Sequence, residues 1–433
     1  MNALATSLNE AIQAVNPHVY EMLSNLGRSL YFPKGILSQS AEAKAKATRF
    51  NVTIGTAMSE GDAMFLPSVM SQLPSQSAND ALLYAPAPGL PALRRAWQEK
   101  NLHDNPSLHG VATSLPIVTS GLTHGLGLLA DMFANPGEHL IYPDMNWGNY
   151  ALNFVVRKGM KPCLFSFFKE GGFNIAAFRQ ALKDYSMGQE KVIVLLNFPN
   201  NPSGYTPTED EGNAIADALV ELAESGVNVV AIVDDAYFGL FFDDVMQQSL
   251  FTKLAGRHER LLAVKADAAT KEVYVWGLRV GFVTIAIKSD TDPEPLYQAM
   301  NAKFGGCIRS QVSSGCALSQ QVVLHGLQSP TFYEERAANV AVMRERARKV
   351  REVLDNPKYS DAWEVYPFNS GYFMCLKLKD VDAEALRVHL LDKYGVGTIA
   401  VATRNLRVAF SCLETEHVQE LFDLVYAGCK DLA

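Results

Sequence analysis

"AATKEVYVWGLRVGF", residues 268–282, sets a single lysine, Lys271, ahead of an apolar run that reads as a strand, with Arg279 eight residues further on. A lysine at a strand edge often does no more than discourage pairing with a neighbouring sheet. An amine in a partly desolvated pocket has a second use, forming a Schiff base with a carbonyl compound, and a nearby guanidinium can take two phosphate oxygens in its planar fork. A carbonyl compound that carries a phosphate needs both groups. The remainder of the chain decides between these readings.

The chain has 433 residues, 48% hydrophobic and 19% charged, which is enough for a large core divided among more than one domain. A net charge of -8 argues against nucleic acid or an anionic membrane as the main partner. The six cysteines, Cys163, Cys307, Cys316, Cys375, Cys412 and Cys429, form no CxxC pair and no His-flanked ligand spacing. Neither a metal site nor a disulfide framework is expected, and reduced thiols fit a cytoplasmic protein. The N-terminal "MNALATSLNEAIQAV" has neither the basic leader nor the apolar core of a signal peptide, and no long uncharged apolar run follows, so neither export nor membrane insertion is expected.

From about Leu115 to Ile287, short apolar runs such as "EHLIYPD", "EKVIVLLNF", "VNVVAIVDDAY" and "HERLLAVKA" alternate with helical stretches such as "EDEGNAIADALVELAES". That alternation predicts an α/β fold with a mostly parallel sheet, and strands apolar on both sides predict helices on both of its faces. After Tyr297 the pattern changes to long helical stretches and a βαβ-like tail, read as a smaller α+β domain. The expected division is an N-terminal segment, 1–50, packing with the small domain, a large domain, 51–320, and the small domain, 321–433.

"VNVVAIVDDAYFGLFF" runs an apolar strand into Asp234, Asp235 and Tyr237, placing a carboxylate at the carboxyl end of a buried strand, where open α/β sheets bind ligands. The aspartates otherwise serve a turn or a helix cap. In the functional reading, a carboxylate beside a pyridine nitrogen keeps that nitrogen protonated, as pyridoxal phosphate requires. "LLNFPNNPSGYTPT" follows another strand and is either ordinary loop punctuation or the place where Asn201 meets the same ring. "VTSGLTHGLGLL" passes from a strand through Gly121 into a helix, whose first N-H groups suit an anion.

Taken in order, "SGLTHG", "PDMNWGNY", "NFPNNPSG", "DDAY", "TKEVYVWGLRVG" and "LRVAF" resemble a pyridoxal-phosphate aminotransferase of class I/II, with the aspartate-aminotransferase fold, over roughly Asn51 to Phe410. The resemblance implies a cofactor, pyridoxal phosphate, held through Lys271 as Schiff-base lysine and acid/base, Asp234 at the pyridine nitrogen, and Asn201 and Tyr237 at the ring hydroxyl. It implies Arg279 and the Gly121-Leu122-Thr123 turn at the phosphate and Trp147 on the ring face. Tyr84, ahead of Gly89 in "YAPAPG", matches a tyrosine that reaches the neighbouring subunit's phosphate, which implies a homodimer with shared active sites. Arg407 matches the clamp for the substrate α-carboxylate, with Arg404 as the rival assignment, and Gly55 supplies backbone close by. Arg309 stands about where dicarboxylate-specific relatives carry an arginine from the partner, although an arginine there also suits a surface or dimer contact.

Two departures stand out. Ala268 occupies a position where the family usually has Ser or Gly, with Thr270 as a substitute phosphate ligand. Tyr274 and Trp276 are bulkier than the usual residues after the lysine. The implied activity is transfer of an amino group between an amino acid and a 2-keto acid, glutamate with 2-oxoglutarate being the first candidate pair. The alternatives are β-elimination by a C-S lyase or decarboxylation on the same scaffold, or a non-catalytic cofactor-binding module.

Overall fold

The computed structural model describes residues 2–15, 23, 25–29, 36–243 and 245–433. Its larger sheet has seven strands: β1 (Ile117–Thr119), β2 (His139–Pro143), β3 (Lys161–Phe165), β4 (Lys191–Asn197), β5 (Asn228–Asp234), β6 (Leu261–Ala268) and β7 (Gly281–Ala286). They lie in the order β1-β7-β6-β5-β4-β2-β3, parallel except that β7 runs antiparallel to both β6 and β1. Alternation along the central strands buries both faces. Ile193, Leu195, Val230 and Ile232 enter one apolar cluster, while Val192, Val194, Val229 and Ala231 enter another.

The helices that matter for the site are α1 (Ile36–Lys46), α2 (Pro91–Asp104), α3 (Leu122–Phe133), α4 (Glu209–Glu224), α5 (Ala269–Glu272), α6 (Glu294–Gln311), α7 (Phe332–Leu354), α8 (Ala383–Tyr394) and α9 (Val418–Leu432). Helix α3 packs Leu126 and Leu129 against the first cluster, and α4 packs Ile215 and Leu219 against the second. A Thr208/Glu211 capping box opens α4, satisfying N-H groups that helix geometry leaves bare.

A second, antiparallel sheet orders β8 (Trp363–Val365), β9 (Phe373–Leu378), β10 (Ile399–Ala402) and β11 (Asn405–Ala409) as β8-β9-β11-β10. Val350 of α7, Leu386 and Leu390 of α8, and Leu421 and Phe422 of α9 share a buried cluster with this sheet. Within the first fifty residues, Gln39 of α1 exchanges two hydrogen bonds with Ala400, at 3.1 and 2.9 Å, and Phe50 pairs with Val396. Residues 1, 16–22, 24 and 30–35 of the expected N-terminal segment lie outside the described residues.

The stretch after Lys271 departs from the expected strand. Lys271 lies in the single-turn α5, a 3-10 turn covers Trp276–Leu278, and the strand begins only at Gly281. Tyr274 and Arg279 adopt left-handed backbone, φ +58° and +55°, which turns the chain twice before it can extend. The expectation of strands apolar on both sides also fails at the sheet edge, where Lys161, Pro162 and Leu164 of β3 are exposed.

The two sheets meet at Gly204, whose φ is +75° and whose added Cβ would lie 2.0 Å from the Phe373 carbonyl oxygen. Gly204→Ala is expected to cost roughly 2–4 kcal/mol, combining a left-handed non-glycine with a backbone collision. Denaturant unfolding checks it, and a loss below about 1 kcal/mol would show that the junction relaxes.

Candidate active site

The carboxyl ends of β4, β5 and β6 stand in register, with Asp234 opposite both Asn197 and Ala266. The segments leaving these ends, together with the start of α3, β9, β11 and the 53–56 stretch, enclose a cleft of about 370 Å³. Of the residues singled out from the sequence, Lys271, Asp234, Tyr237, Asn201, Arg279, Leu122, Thr123, Trp147, Thr270, Gly55 and Arg407 all line it.

Lys271 is partly open to the cleft and makes no hydrogen bond among the described residues; its Nζ lies 4.4 Å from the centre of the Tyr237 ring. Desolvation lowers its pKa to about 8, assisted by the Arg279 charge and opposed by Asp234. Asp234 is 1% exposed. Burial raises its pKa against the pull of its bonds, from Tyr150 Oη to Oδ2 at 2.6 Å and from the Ala236 N-H to Oδ1 at 3.0 Å. The adjacent Asp235 goes elsewhere, accepting from Ser249 Oγ at 2.6 Å and facing Lys265 Nζ at 3.1 Å. Tyr237 is buried beside Tyr372 and Phe373, and its phenol is raised by the same desolvation.

Gly121 caps α3 with φ +79°, and an added Cβ would lie 2.3 Å from Arg279 Nη2. Only glycine lets the guanidinium approach the N-H groups that open α3, so a cation and a helix N-terminus converge on one spot. Arg279 donates to the Trp276 carbonyl at 3.1 Å. Ala268 ends β6 fully buried and has no side-chain donor, whereas Thr270 reaches the cleft wall.

At the opposite end, Arg407 is 1% exposed yet has no carboxylate within ion-pair distance among the described residues. Its Nη1 donates to Asn201 Oδ1 at 2.9 Å and its Nη2 to the Thr53 carbonyl at 2.8 Å, while Nε has no partner among the described residues. The guanidinium carbon lies 4.1 Å from the centre of the Phe373 ring. Arg404 is exposed in the turn between β10 and β11, so Arg407 is the one in the cleft.

Tyr84 and Arg309 are not part of this chain's cleft. Tyr84 is 93% exposed, and Arg309 is exposed near the end of α6, bonded to Ser313. Sequence reading missed several wall residues. Tyr150, which holds Asp234, lies three places after Trp147 in "WGNY", a stretch from which only Trp147 was singled out. Trp276, singled out only as bulkier than the family's usual residue, donates from Nε1 to the Gly55 carbonyl at 3.0 Å and so ties its wall to the 53–56 segment. Phe373 carried no local signal.

Residues 50–425 match the family described as aminotransferase class I and II. The cytoplasmic aspartate aminotransferase of Saccharomyces cerevisiae is 23% identical over 240 residues, 54% of this chain and 55% of that protein, so the chain spans little more than half of that relative's length. The mitochondrial aspartate aminotransferase of Schizosaccharomyces pombe is 24% identical over 409 residues, covering 90% of this chain and 87% of its own. An aminotransferase of Anaerococcus prevotii shares the fold with a TM-score of 0.83 at 22% identity, over 94% of this chain and 98% of its own.

The lowered pKa of Lys271 makes a direct prediction. Its unprotonated fraction rises as pH passes through about 8, whereas an ordinary lysine waits for about 10.4. At pH 7.5 its reactive fraction is on the order of a hundredfold larger than that of a surface lysine. A carbonyl reagent trapped with cyanoborohydride is therefore expected to label Lys271 first, and peptide mapping that finds another lysine labelled ahead of it would sink the assignment.

Proposed function

The chain belongs to the class I and II aminotransferases, a pyridoxal-phosphate-dependent family, and from that membership we propose that it moves an amino group between an amino acid and a 2-keto acid in two half-reactions. The observation that carries this reading is Arg407, a desolvated guanidinium with no carboxylate partner among the described residues, in the same cleft as an amine whose pKa is lowered to about 8. A buried charge of this kind calls for an anionic ligand.

The residues present suit pyridoxal phosphate. The Gly121 cradle under Arg279 and the opening turn of α3 would hold its phosphate, Asp234 its ring nitrogen, Asn201 and Tyr237 its ring hydroxyl, and Trp147 its ring face. When bound, the cofactor supplies an electron sink for the pair left on the substrate α-carbon. Arg407 binds the α-carboxylate, and Gly55, where an added Cβ would meet Phe373 at 2.8 Å, keeps backbone close to that carboxylate. Lys271 Nζ, unprotonated in part at neutral pH, takes the α-proton and later returns it. Asp234, held in place by Tyr150, keeps its partner nitrogen protonated throughout. The family match favours amino-group transfer over elimination, decarboxylation or a non-catalytic module.

A homodimer completes the reading. Phe65, Met70, Leu82, Leu83 and Tyr84 are between 51% and 93% exposed, an apolar strip that suits a partner surface, and we assign Tyr84 and Arg309 to the partner's cleft. Six free cysteines support a cytoplasmic location. No described helix is long and apolar enough to cross a membrane.

Two measurements test the proposal. Mixing the holoenzyme with an amino acid is expected to change its visible spectrum and a keto acid to restore it; Asp234→Asn should slow the change on the order of a hundredfold or more, and Asp235→Asn far less. A spectrum indifferent to every amino acid, or the reverse ranking of the two variants, would overturn it. For a dicarboxylate such as glutamate, Arg309→Ala should lose roughly 2–5 kcal/mol in kcat/KM while sparing alanine, because only the dicarboxylate loses a charge partner. Equal losses for both substrates would leave Arg309 a structural residue.

A further inference from the structure

The residue after Lys271 is Glu272, a carboxylate 2% exposed at the end of α5 that has no part in the chemistry above. Its Oε2 is ion-paired with Lys100 Nζ of α2, which also holds Asp104 Oδ2 at 2.8 Å; Asp104 in turn holds Arg336 Nη1 of α7 at 2.8 Å. Alongside runs a second set of pairs, in which Lys265 of β6 lies 2.5 Å from Asp267 and 3.1 Å from Asp235, the neighbour of Asp234. Trp97 Nε1 donates to Asp267 at 2.9 Å. Glu272 feels Lys265, Asp267 and Arg336 as well as Lys100, so the two sets form one buried cluster.

Stability alone is a poor account of such a cluster. Apolar residues of similar volume commonly serve a core as well or better, because each buried charge must first be stripped of water. What the cluster touches suggests another role. The Lys271 amine has no hydrogen bond among the described residues, so its reach depends on where α5 lies, and a helix of four residues has almost no stability of its own. Glu272 ties that helix to α2. Arg336 ties the same cluster to the turn after Asp234 and Tyr237, because Gly239, with φ +85°, admits its guanidinium where an added Cβ would lie 2.2 Å from Nη2.

We propose that Glu272 is a positioning residue, and that the ion cluster it joins sets the placement of the Lys271 amine relative to Asp234 and Tyr237. The proposal rests on the reading of Lys271 as the cofactor-bearing lysine, which the visible band of the unaltered holoenzyme tests separately.

Glu272→Gln keeps the volume and leaves Lys100 paired with Asp104, while Arg336→Met loosens the cluster from its rim. Leu219→Ala, buried in the other apolar cluster of the large sheet, serves as a control that lowers stability without touching any member. Holoenzymes are compared for Tm, for the pH midpoint of the visible band, and for kcat and KM. Glu272→Gln is expected to move the midpoint by about half a unit or more and to lower kcat about tenfold, with KM within about twofold, since a small misplacement of a reacting group costs rate more than binding. Arg336→Met should show the same pattern more weakly, and Leu219→Ala should lower Tm alone. The proposal is overturned if Glu272→Gln, or Arg336→Met should the first not fold, behaves as Leu219→Ala does, with a lower Tm but an unchanged midpoint and kcat.

Discussion

A guanidinium held out of water with no counter-charge among the described residues is the constraint around which this cleft is organised. Arg407 comes from β11 of the smaller sheet, yet its bonds run to Asn201, beyond β4 of the larger sheet, and to the Thr53 carbonyl. Neutral oxygens and the face of Phe373 make the burial tolerable, but they do not neutralise it. The two sheets are therefore joined through a charge that a bound carboxylate would complete. The atoms that join the two sheets also line the cleft.

The other end of the cleft depends on close backbone approach. An added Cβ at Gly281 would lie 2.6 Å from the Gly121 carbonyl carbon, and one at Gly121 would strike Arg279. The start of β7 can touch the start of α3 because Gly281 lacks a side chain, and the Arg279 guanidinium can approach it because Gly121 does. Left-handed Tyr274 and Arg279 add local strain of the sort that persists where surrounding structure enforces it. These two turns break what reads as one long strand into a helical turn, a 3-10 turn and a short strand.

Asp234 and Asp235 illustrate how one residue of register separates two fates. Successive side chains on a strand point to opposite faces. One carboxylate meets Tyr150 at the cleft; the other joins Lys265 inside the core. Both are buried and both have raised pKa values from desolvation, so burial alone does not distinguish them. The distinction lies in what each faces.

The alternation of apolar runs with helical stretches carried the α/β architecture, because a strand buried on both faces must be apolar throughout. The spacing from Lys271 to Arg279, and the order of "NNPSG", "DDAY" and "LRVAF", carried the family resemblance and pointed to residues that line one cleft. Those features are local, and local patterns survive in a one-dimensional text. The choice between Arg404 and Arg407 was not local, since it turns on which of them follows the β10–β11 turn into the core. Neither Phe373 beneath the arginine nor the pairing of Glu272 with Lys100, 172 positions away, leaves a trace in any short window of sequence. Contacts between residues far apart in the chain exist only once the sheets and helices have packed, so tertiary structure alone decided which charges were matched and which side chains face the cleft.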